Sequence, residues 1–281
     1  MKARQLLNGK GPLIMGIVNV TPDSFSDGGR YASPEPAIKH ALAMVKEGAD
    51  LIDVGGESTR PGSERVPGSE QLRRVVPVIQ GLREALPDEV GISIDTTLCE
   101  VAEAALDVGA EMINDISAGR DDASMLALAA QRQVPICLTH MQGTPSTMQR
   151  DPQYGDVVDE ICAFLLERAD SAIAAGIPRE HIIIDPGIGF GKTPDHNLTL
   201  LANLPRFVIS GYPVLLGASR KRFMGAICNE PQPSKLEGAT CASTTMGVAA
   251  GVRIFRVHDV AINRQAAHVA WAIRQAQYNK S

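Results

Sequence analysis

The chain has 281 residues, of which 44% are hydrophobic, 21% charged and only 4% aromatic, and its formal charge is −5. These values are typical of a globular protein that can build a sizeable core. The net acidity and the lack of a Lys/Arg cluster argue against a nucleic-acid or anionic membrane partner. No segment resembles a signal peptide or a membrane span, and the five scattered cysteines predict reduced thiols. We therefore expect a cytoplasmic protein.

Eight short apolar segments bounded by turn residues predict buried parallel strands. They are 13–18, 51–54, 91–94, 111–113, 135–138, 181–184, 214–216 and 253–255. Helical spacing lies between them, at about 34–47, 70–85, 100–108, 123–132, 157–175, 195–203, 236–250 and 262–276. This alternation predicts a single-domain α/β protein, a (β/α)8 TIM barrel over residues 1–281, with a doubly wound open sheet as the alternative.

For two of these helices, the sequence predicts the ends or the buried face. For the first, Ser33 is the expected N-cap, Pro34 the first helical residue and Gly48 the residue just past the end. The last helix carries one apolar stripe, which we expect to face the core. Its members are Ile262, Ala266, Val269, Ile273 and Ala276.

Polar residues follow every predicted strand, at the end of a barrel where active sites form. A single Asp in such a place is commonly a cap or a turn former, but eight polar strand ends together predict a functional site. They are Asn19, Asp53, Asp95, Asn114 with Asp115, His140, Asp185, Ser219 to Lys221, and Arg256 with His258. Two glycine-punctuated loops, 21–30 and 55–68, are predicted to be mobile covers.

Familiar nucleotide and metal motifs fail in detail. Residues 186–193 end like a phosphate-binding P-loop, but Pro186 occupies the place of its first glycine. Residues 23–28 resemble the start of an EF-hand, but Phe25 and Pro34 stand where calcium ligands are required.

The strand ends suit a different ligand. Carboxylates and a carboxamide accept from a heterocycle with adjacent N–H groups, while Arg256, His258 and an Asn oxygen suit a phosphate with magnesium.

Six segments, taken in order, closely resemble the bacterial dihydropteroate synthases. They are 19–29, 53–62, 114–116, 185–192, 217–221 and 256–259. The resemblance covers nearly the whole chain and implies a homodimeric (β/α)8 barrel. Such an enzyme joins 6-hydroxymethyl-7,8-dihydropterin diphosphate to 4-aminobenzoate and releases pyrophosphate, with the help of Mg2+.

The resemblance also implies roles for individual residues. The pterin pocket would be lined by Asp95, Asn114, Asp185 and Lys221. Asn19 would bind magnesium, and the diphosphate would be held by Thr59, Arg256 and His258. The aminobenzoate side would be shaped by Asp27, Arg60, Phe190 and Arg220. Direct catalytic roles would fall to Asp27, Lys221, Arg256 and His258, with His140 only a supporting residue.

One position departs from the family pattern. Residue 222 is Arg, where some members carry a Ser thought to contact the aminobenzoate carboxylate. The backbone N–H at this position, near a predicted helix N-terminus, would still be able to bind that anion.

Two other functions remain open at this stage. A pterin-binding methyltransferase-type barrel shares the acidic pocket but would not need Arg256 and His258 as a diphosphate clamp. A non-catalytic pterin-binding paralogue should have lost loop residues such as Asp27 and Arg60, which are present here.

Overall fold

The computed structural model describes residues 2–21, 33–58 and 62–278. Its centre is an eight-stranded parallel sheet. The strands β1 to β8 are Leu13–Asn19, Leu51–Gly55, Gly91–Asp95, Met112–Asp115, Ile136–Thr139, Ile182–Asp185, Leu215–Leu216 and Ile254–Val257. Each matches a predicted strand. Most run on to include the polar residue that was expected just after the strand.

The sheet closes into a barrel. The strand order is β6-β5-β4-β3-β2-β1-β8-β7, so β6 and β7 form its two edges. These edges meet, because Ile184 and Val214 form a parallel bridge and the Ile184 N–H donates to the Pro213 carbonyl at 3.0 Å. The predicted (β/α)8 barrel is therefore confirmed. The alternative prediction of a doubly wound open sheet is wrong.

Helices surround this barrel. In the described part of the chain, α1 to α11 are Lys2–Leu7, Glu35–Lys46, Gly68–Ala85, Cys99–Asp107, Met125–Arg132, Val157–Ala174, Pro194–Ala202, Leu204–Val208, Arg222–Cys228, Glu237–Ala250 and Val260–Tyr278. Two short helices, α1 and α8, were not predicted, whereas α9 begins at residue 222, where a helix N-terminus was expected. Helix α1 closes the amino-terminal end of the barrel, where Ala3 and Leu7 pack with the inward-facing Leu13 and Leu51. None of these helices is long and apolar enough to cross a membrane.

The start of α2 differs slightly from the prediction. The helix begins at Glu35, its N-cap is Pro34, and no side chain caps it. Ser33 hydrogen-bonds the Glu35 side chain instead and so lowers the pKa of that carboxyl. The predicted end is confirmed, since Gly48 follows the helix with a φ of +102°.

The prediction for the last helix is wrong. Val269 and Ile273 are 62% and 57% exposed, so the apolar stripe of α11 does not face the core. The buried face consists of Val260, Asn263, Ala267 and Ala270. Small side chains on that face let α11 approach its neighbours closely, and this packing outweighs the greater hydrophobicity of the other stripe. The outer face of α11 therefore presents apolar side chains to solvent.

Candidate active site at the mouth of the barrel

The interior of the barrel changes from apolar to polar along its strands. Met112, Ile183 and Ile254 belong to the apolar cluster that α1 covers. Side chains alternate along a strand, so the residues two positions further on share the same inward face. Those residues are Asn114, Asp185 and Arg256. A polar pocket thus stands directly on an apolar floor.

Arg256 is the centre of an ion-pair network in this pocket. Its Nε donates to Asp53 Oδ2 and its Nη2 to Asp95 Oδ2, both at 2.6 Å. Asn114 Nδ2 donates to the same Asp53 oxygen at 3.0 Å. Burial works to lower the pKa of Arg256, but Asp53 and Asp95 outweigh it and the pKa is raised. The guanidinium is therefore a fixed cation, and it aligns groups from β2, β3, β4 and β8.

Asp95 and Asp185 are the acidic groups of the predicted pterin pocket. Burial raises the pKa of Asp95, with Arg256 opposing this effect and Asp53 adding to it. Burial also raises the pKa of Asp185 to about 6, although the Gly187 N–H and Lys221 act in the opposite direction. Asp185 Oδ1 accepts from that N–H at 2.7 Å. The two carboxyl groups are thus poised to change charge near neutral pH.

Lys221 lies on the other side of the pocket, at the N-cap position of α9. Burial lowers its pKa to about 8, while the charge of Asp185 raises it. The Nζ atom lies over the Phe190 ring, 4.3 Å from its centroid, which is a cation–π contact. A Cβ added to Gly189 would lie 3.2 Å from this Nζ, so glycine leaves the space that the ammonium needs. The predicted residues Lys221, Phe190 and Asp185 are thus brought together.

His258 is oriented by Ser219. The Ser219 Oγ accepts from the His258 backbone N–H at 3.2 Å and lies 3.0 Å from His258 Nδ1. Since the hydroxyl oxygen already accepts, its proton is available to Nδ1. Arg220 forms an ion pair with Asp259. Its Nε donates to Asp259 Oδ2 at 3.0 Å, and its Nη2 pairs with Oδ1 of the same residue. Arg222 is the exposed first residue of α9.

Three predicted site residues, Asp27, Thr59 and Arg60, lie outside the described residues. The ends of the second predicted loop are well anchored. Glu57 accepts from the Val66 backbone N–H at 3.0 Å and from Gln71 Nε2 at 3.1 Å, and Arg65 donates to Thr97 Oγ1 at 3.0 Å. These contacts hold the described residues on either side of Thr59 and Arg60.

The predicted metal ligand, Asn19, is the last residue of β1 and is half-buried at the mouth. Within 2–21, 33–58 and 62–278, no group of three or more His, Cys, Asp or Glu side chains is placed to hold a metal. Mg2+ commonly takes one or two protein oxygens and completes its shell with water and substrate phosphates. The residues present therefore fit magnesium only as an ion that the diphosphate substrate helps to bind.

Two residues of the site were not assigned a role from the sequence. Asp53 was noted only as a strand end, although a charged residue within the apolar segment Leu51–Gly55 already indicated an interior partner. Lys192 was noted only as part of the rejected P-loop motif and of the 185–192 segment that resembles the family, with no role of its own. It is 2% exposed, and no pattern in its neighbourhood signals burial.

Comparison with known proteins identifies the family. The family model described as "Pterin binding enzyme" matches residues 15–258. The chain belongs to the pterin binding enzyme family. A dihydropteroate synthase of Synechocystis sp. is 48% identical over 265 residues, which cover 94% of this chain and 91% of that protein.

Solved structures agree with this membership of the pterin binding enzyme family. The Xanthomonas albilineans dihydropteroate synthase with 4-aminobenzoic acid superposes with a TM-score of 0.88 at 45% identity, covering 95% of this chain and 94% of that one. The same enzyme in complex with 7,8-dihydropteroate gives a TM-score of 0.84 at 42% identity, with 95% of both chains covered. The predicted resemblance to bacterial dihydropteroate synthases is confirmed, and so is the prediction that the chain is an enzyme, a transferase of this type.

Proposed function

We propose that the chain condenses 6-hydroxymethyl-7,8-dihydropterin diphosphate with 4-aminobenzoate to give 7,8-dihydropteroate and pyrophosphate. The observation that carries this proposal is the acidic pocket of Asp95, Asn114 and Asp185, closed on one side by Lys221 and Phe190. It is supported by the family relatives that hold 4-aminobenzoic acid and 7,8-dihydropteroate in their structures.

The pterin is recognised by acceptors at the floor of the pocket. An ionised carboxylate accepts from two adjacent N–H groups, which is the pattern that a 2-aminopterin presents. Asp185 accepts a backbone N–H through Oδ1 alone, which leaves its second oxygen for the ligand. Asp95 and Asn114 are oriented through Arg256 and Asp53, so they need little rearrangement when the pterin binds.

The leaving group is held at the opposite side of the mouth. His258, oriented by Ser219, and Arg256, which uses two of its five N–H donors on carboxylates, would contact the diphosphate together with Thr59. Magnesium bound to the diphosphate and Asn19 would neutralise the negative charge that develops on the leaving oxygen. Because this charge grows as the bond breaks, donors fixed at the leaving oxygen stabilise the transition state more than the substrate.

The substitution is dissociative in this proposal. The bond between the pterin methylene carbon and the diphosphate oxygen breaks, and its electron pair leaves with the oxygen. The electron-rich dihydropterin carries the resulting cation, which Asp27 would stabilise. The aryl amine, neutral near pH 7, forms the new C–N bond and then loses a proton to solvent. Because the amine is already neutral, no strong general base is required. Phe190, Arg220 and Arg60 would shape the aminobenzoate side.

Two alternative functions make different predictions for one assay. The chain is incubated with the pterin diphosphate and magnesium, and pyrophosphate release is followed with and without 4-aminobenzoate. With the amine present, the synthase makes dihydropteroate and releases an equal amount of pyrophosphate, and without the amine it makes no dihydropteroate. A methyltransferase-type barrel or a non-catalytic paralogue binds the pterin and gives no product under either condition, and this result would overturn the proposal.

The homodimer is also proposed, with the outer face of α11 as its contact surface. Val269 and Ile273 of α11 and Met246 of α10 are all more than half exposed. An exposed apolar surface on a globular enzyme commonly marks a subunit interface. Gly247 of α10 is buried, and a Cβ added there would lie 2.6 Å from the Phe255 ring, so this small residue packs inside the chain. A cytoplasmic location stays a prediction.

A further inference from the structure

The loop between β6 and α7 carries Phe190 and is rich in glycine. Gly187, Gly189 and Gly191 have φ values of +69°, +85° and +64°, which side chains other than glycine rarely adopt. A backbone with so many glycines is intrinsically loose, so its position depends on contacts from outside the loop.

Three consecutive carbonyl groups of this loop are each held by a different side chain. The Gly189 oxygen accepts from Gln149 Nε2 at 2.7 Å, and the Gly191 oxygen accepts from the Tyr154 hydroxyl at 2.8 Å. Both donors come from the segment between β5 and α6. The middle carbonyl, that of Phe190, accepts from Lys192 Nζ at 2.9 Å. The peptide on which Phe190 stands is therefore fixed by Lys192.

Lys192 is the buried member of this set. A lysine is almost never fully buried unless it is paired, and here the Nζ also lies 3.0 Å from His140 Nδ1 and 3.3 Å from the His140 carbonyl. Burial lowers the pKa of His140 to about 2, so its ring is neutral and able to accept on Nδ1. Burial also lowers the pKa of Lys192 itself. Both the ammonium and the amine can donate to the Phe190 carbonyl, so the contact does not depend on which form is present.

The contact between Lys192 and the Phe190 carbonyl affects the pocket through the Phe190 ring. Its ring supports the Lys221 ammonium at 4.3 Å, and the Gly189 backbone borders the same ammonium. A shift of the Phe190 peptide would therefore move the wall of the pocket and its cation together. Lys192 itself is enclosed by its three acceptors and only 2% exposed, so it acts through Phe190 rather than on a ligand.

We propose that Lys192 is a positioning residue, which fixes Phe190 so that the aminobenzoate side of the pocket is formed before that substrate arrives. This inference rests on the proposed function, because that function puts Phe190 beside the aminobenzoate. It predicts an effect on aminobenzoate KM that is larger than the effect on pterin affinity.

The first test is Lys192→Met, which keeps the length and shape of the side chain and removes the donor. We expect the KM for 4-aminobenzoate to rise about tenfold, with pterin affinity by calorimetry changed less than about threefold. The matched control is Asp156→Ala, which removes the N-cap of α6 that accepts from Val158 and Asp159. That control lowers stability without touching the loop, and its KM should equal that of the wild type.

A double-mutant cycle separates positioning from general support. If Lys192 acts through the Phe190 ring, Lys192→Met should have little further effect on KM when Phe190 is already Ala. A tenfold effect of Lys192→Met in both backgrounds would show that Lys192 does not act through Phe190 and would overturn the proposal. An unchanged KM in the single variant would overturn it as well.

A second variant covers the case in which Lys192→Met does not fold. Gln149→Met removes the neighbouring tie to Gly189 from an exposed position, and we expect the aminobenzoate KM to rise by about threefold. In that case a wild-type KM in Gln149→Met overturns the proposal. Wild-type enzyme that makes no dihydropteroate would refute the proposed function, whereas active wild type with unaffected variants refutes only the role of Lys192.

Discussion

Arg256 and Asp53 are 203 residues apart in the chain, yet Arg256 Nε donates to Asp53 Oδ2 at 2.6 Å inside the barrel. This contact joins β8 to β2 across β1, and Asn114 and Asp95 are attached to the same pair. The network carries two carboxylates and one guanidinium in a buried place. Its stability and its ligand binding should therefore respond strongly to pH and to the loss of any one charge.

The first prediction concerns Asp185. Asp185→Asn should weaken pterin binding roughly 10- to 100-fold and leave the fold intact, because the new amide can still accept from Gly187 but turns an N–H donor toward the ligand. Titration calorimetry with a pterin measures the effect. The exposed Asp195→Asn on α7 is the control and should bind as the wild type does. An affinity for Asp185→Asn equal to that of the wild type would remove Asp185 from the pterin site.

The same carboxyl sets the pH dependence of binding. The pterin N–H groups need the ionised form, and the pKa of Asp185 is raised to about 6. Affinity in the wild type should therefore be constant well above pH 6 and fall about tenfold for each unit below it. In Asp185→Asn this fall should be less steep, because Asp95, whose pKa is also raised by burial, is the pocket carboxyl that still titrates. A wild-type affinity that stays constant from pH 8 to pH 5 would contradict the role of the ionised carboxylate.

The second prediction concerns stability. Arg256→Met leaves Asp53 and Asp95 buried without their cation, and the free energy of unfolding should fall by about 3–5 kcal/mol near pH 8. Burial already raises the folded-state pKa of Asp95, and loss of the cation that opposes this effect raises it further above the unfolded value. Such a group stabilises the fold at low pH, and this contribution is lost as pH rises through the folded pKa. Urea unfolding should therefore show a smaller loss at pH 5.5 than at pH 8. Equal losses at both pH values would contradict this explanation.

Adding Asp53→Asn to Arg256→Met provides the control for that experiment. Removing one of the two uncompensated carboxylates should recover part of the lost stability at pH 8 and little at pH 5.5.

The third prediction concerns the leaving group. His258→Ala should lower kcat by a factor on the order of 10², because the imidazole acts on charge that develops as the C–O bond breaks. Pterin alcohol, which has no diphosphate, should bind this variant as tightly as it binds the wild type. Ser219→Ala removes the hydroxyl that orients the ring and accepts from the His258 backbone N–H, but it keeps the imidazole, so it should give a smaller loss of kcat. If binding of the alcohol falls as much as turnover, His258 supports the pocket instead of the leaving group.

The fourth prediction concerns the dimer. The double variant Val269→Glu and Ile273→Glu would place two negative charges from each protomer, four in all, at the proposed two-fold contact. It should sediment as a monomer in sedimentation velocity. The control is Leu166→Glu on α6, which is 42% exposed and lies on a helix between β5 and β6, far around the barrel from α11. That variant should sediment as the wild type does. A dimer that survives both glutamates on α11 would place the interface elsewhere.

The sequence was sufficient for the barrel because each strand is a buried apolar segment followed by a polar residue, and both signals are local. The stripe on α11 shows where local signals stop, since two apolar stripes compete there and only packing against α10 decides which is buried. The pairing of Arg256 with Asp53, and the burial of Lys192 against His140, join residues that are distant in the chain. Neither contact is encoded in a spacing, so the residues that hold the site in position were missed, although the residues proposed to contact the ligands were identified.

The last prediction concerns the order of substrate binding. The resemblance places Asp27 and Arg60 beside the aminobenzoate, and both stand on glycine-punctuated segments whose composition predicts no fixed geometry without a ligand. In the second segment, the described residues on both sides of Arg60 are held through Glu57 and Arg65. If magnesium and diphosphate order both segments, the amine meets a complete pocket only after the pterin diphosphate has bound, and binding is ordered with the pterin first. The coupling can be no larger than the preference of the first ligand for the closed form, about 1–3 kcal/mol or roughly 5- to 150-fold in affinity.

Calorimetry should therefore give a much weaker affinity for 4-aminobenzoate alone than in the presence of magnesium, pyrophosphate and a pterin. Equal affinities under both conditions would mean that the pocket is preformed and that the substrates bind in no required order.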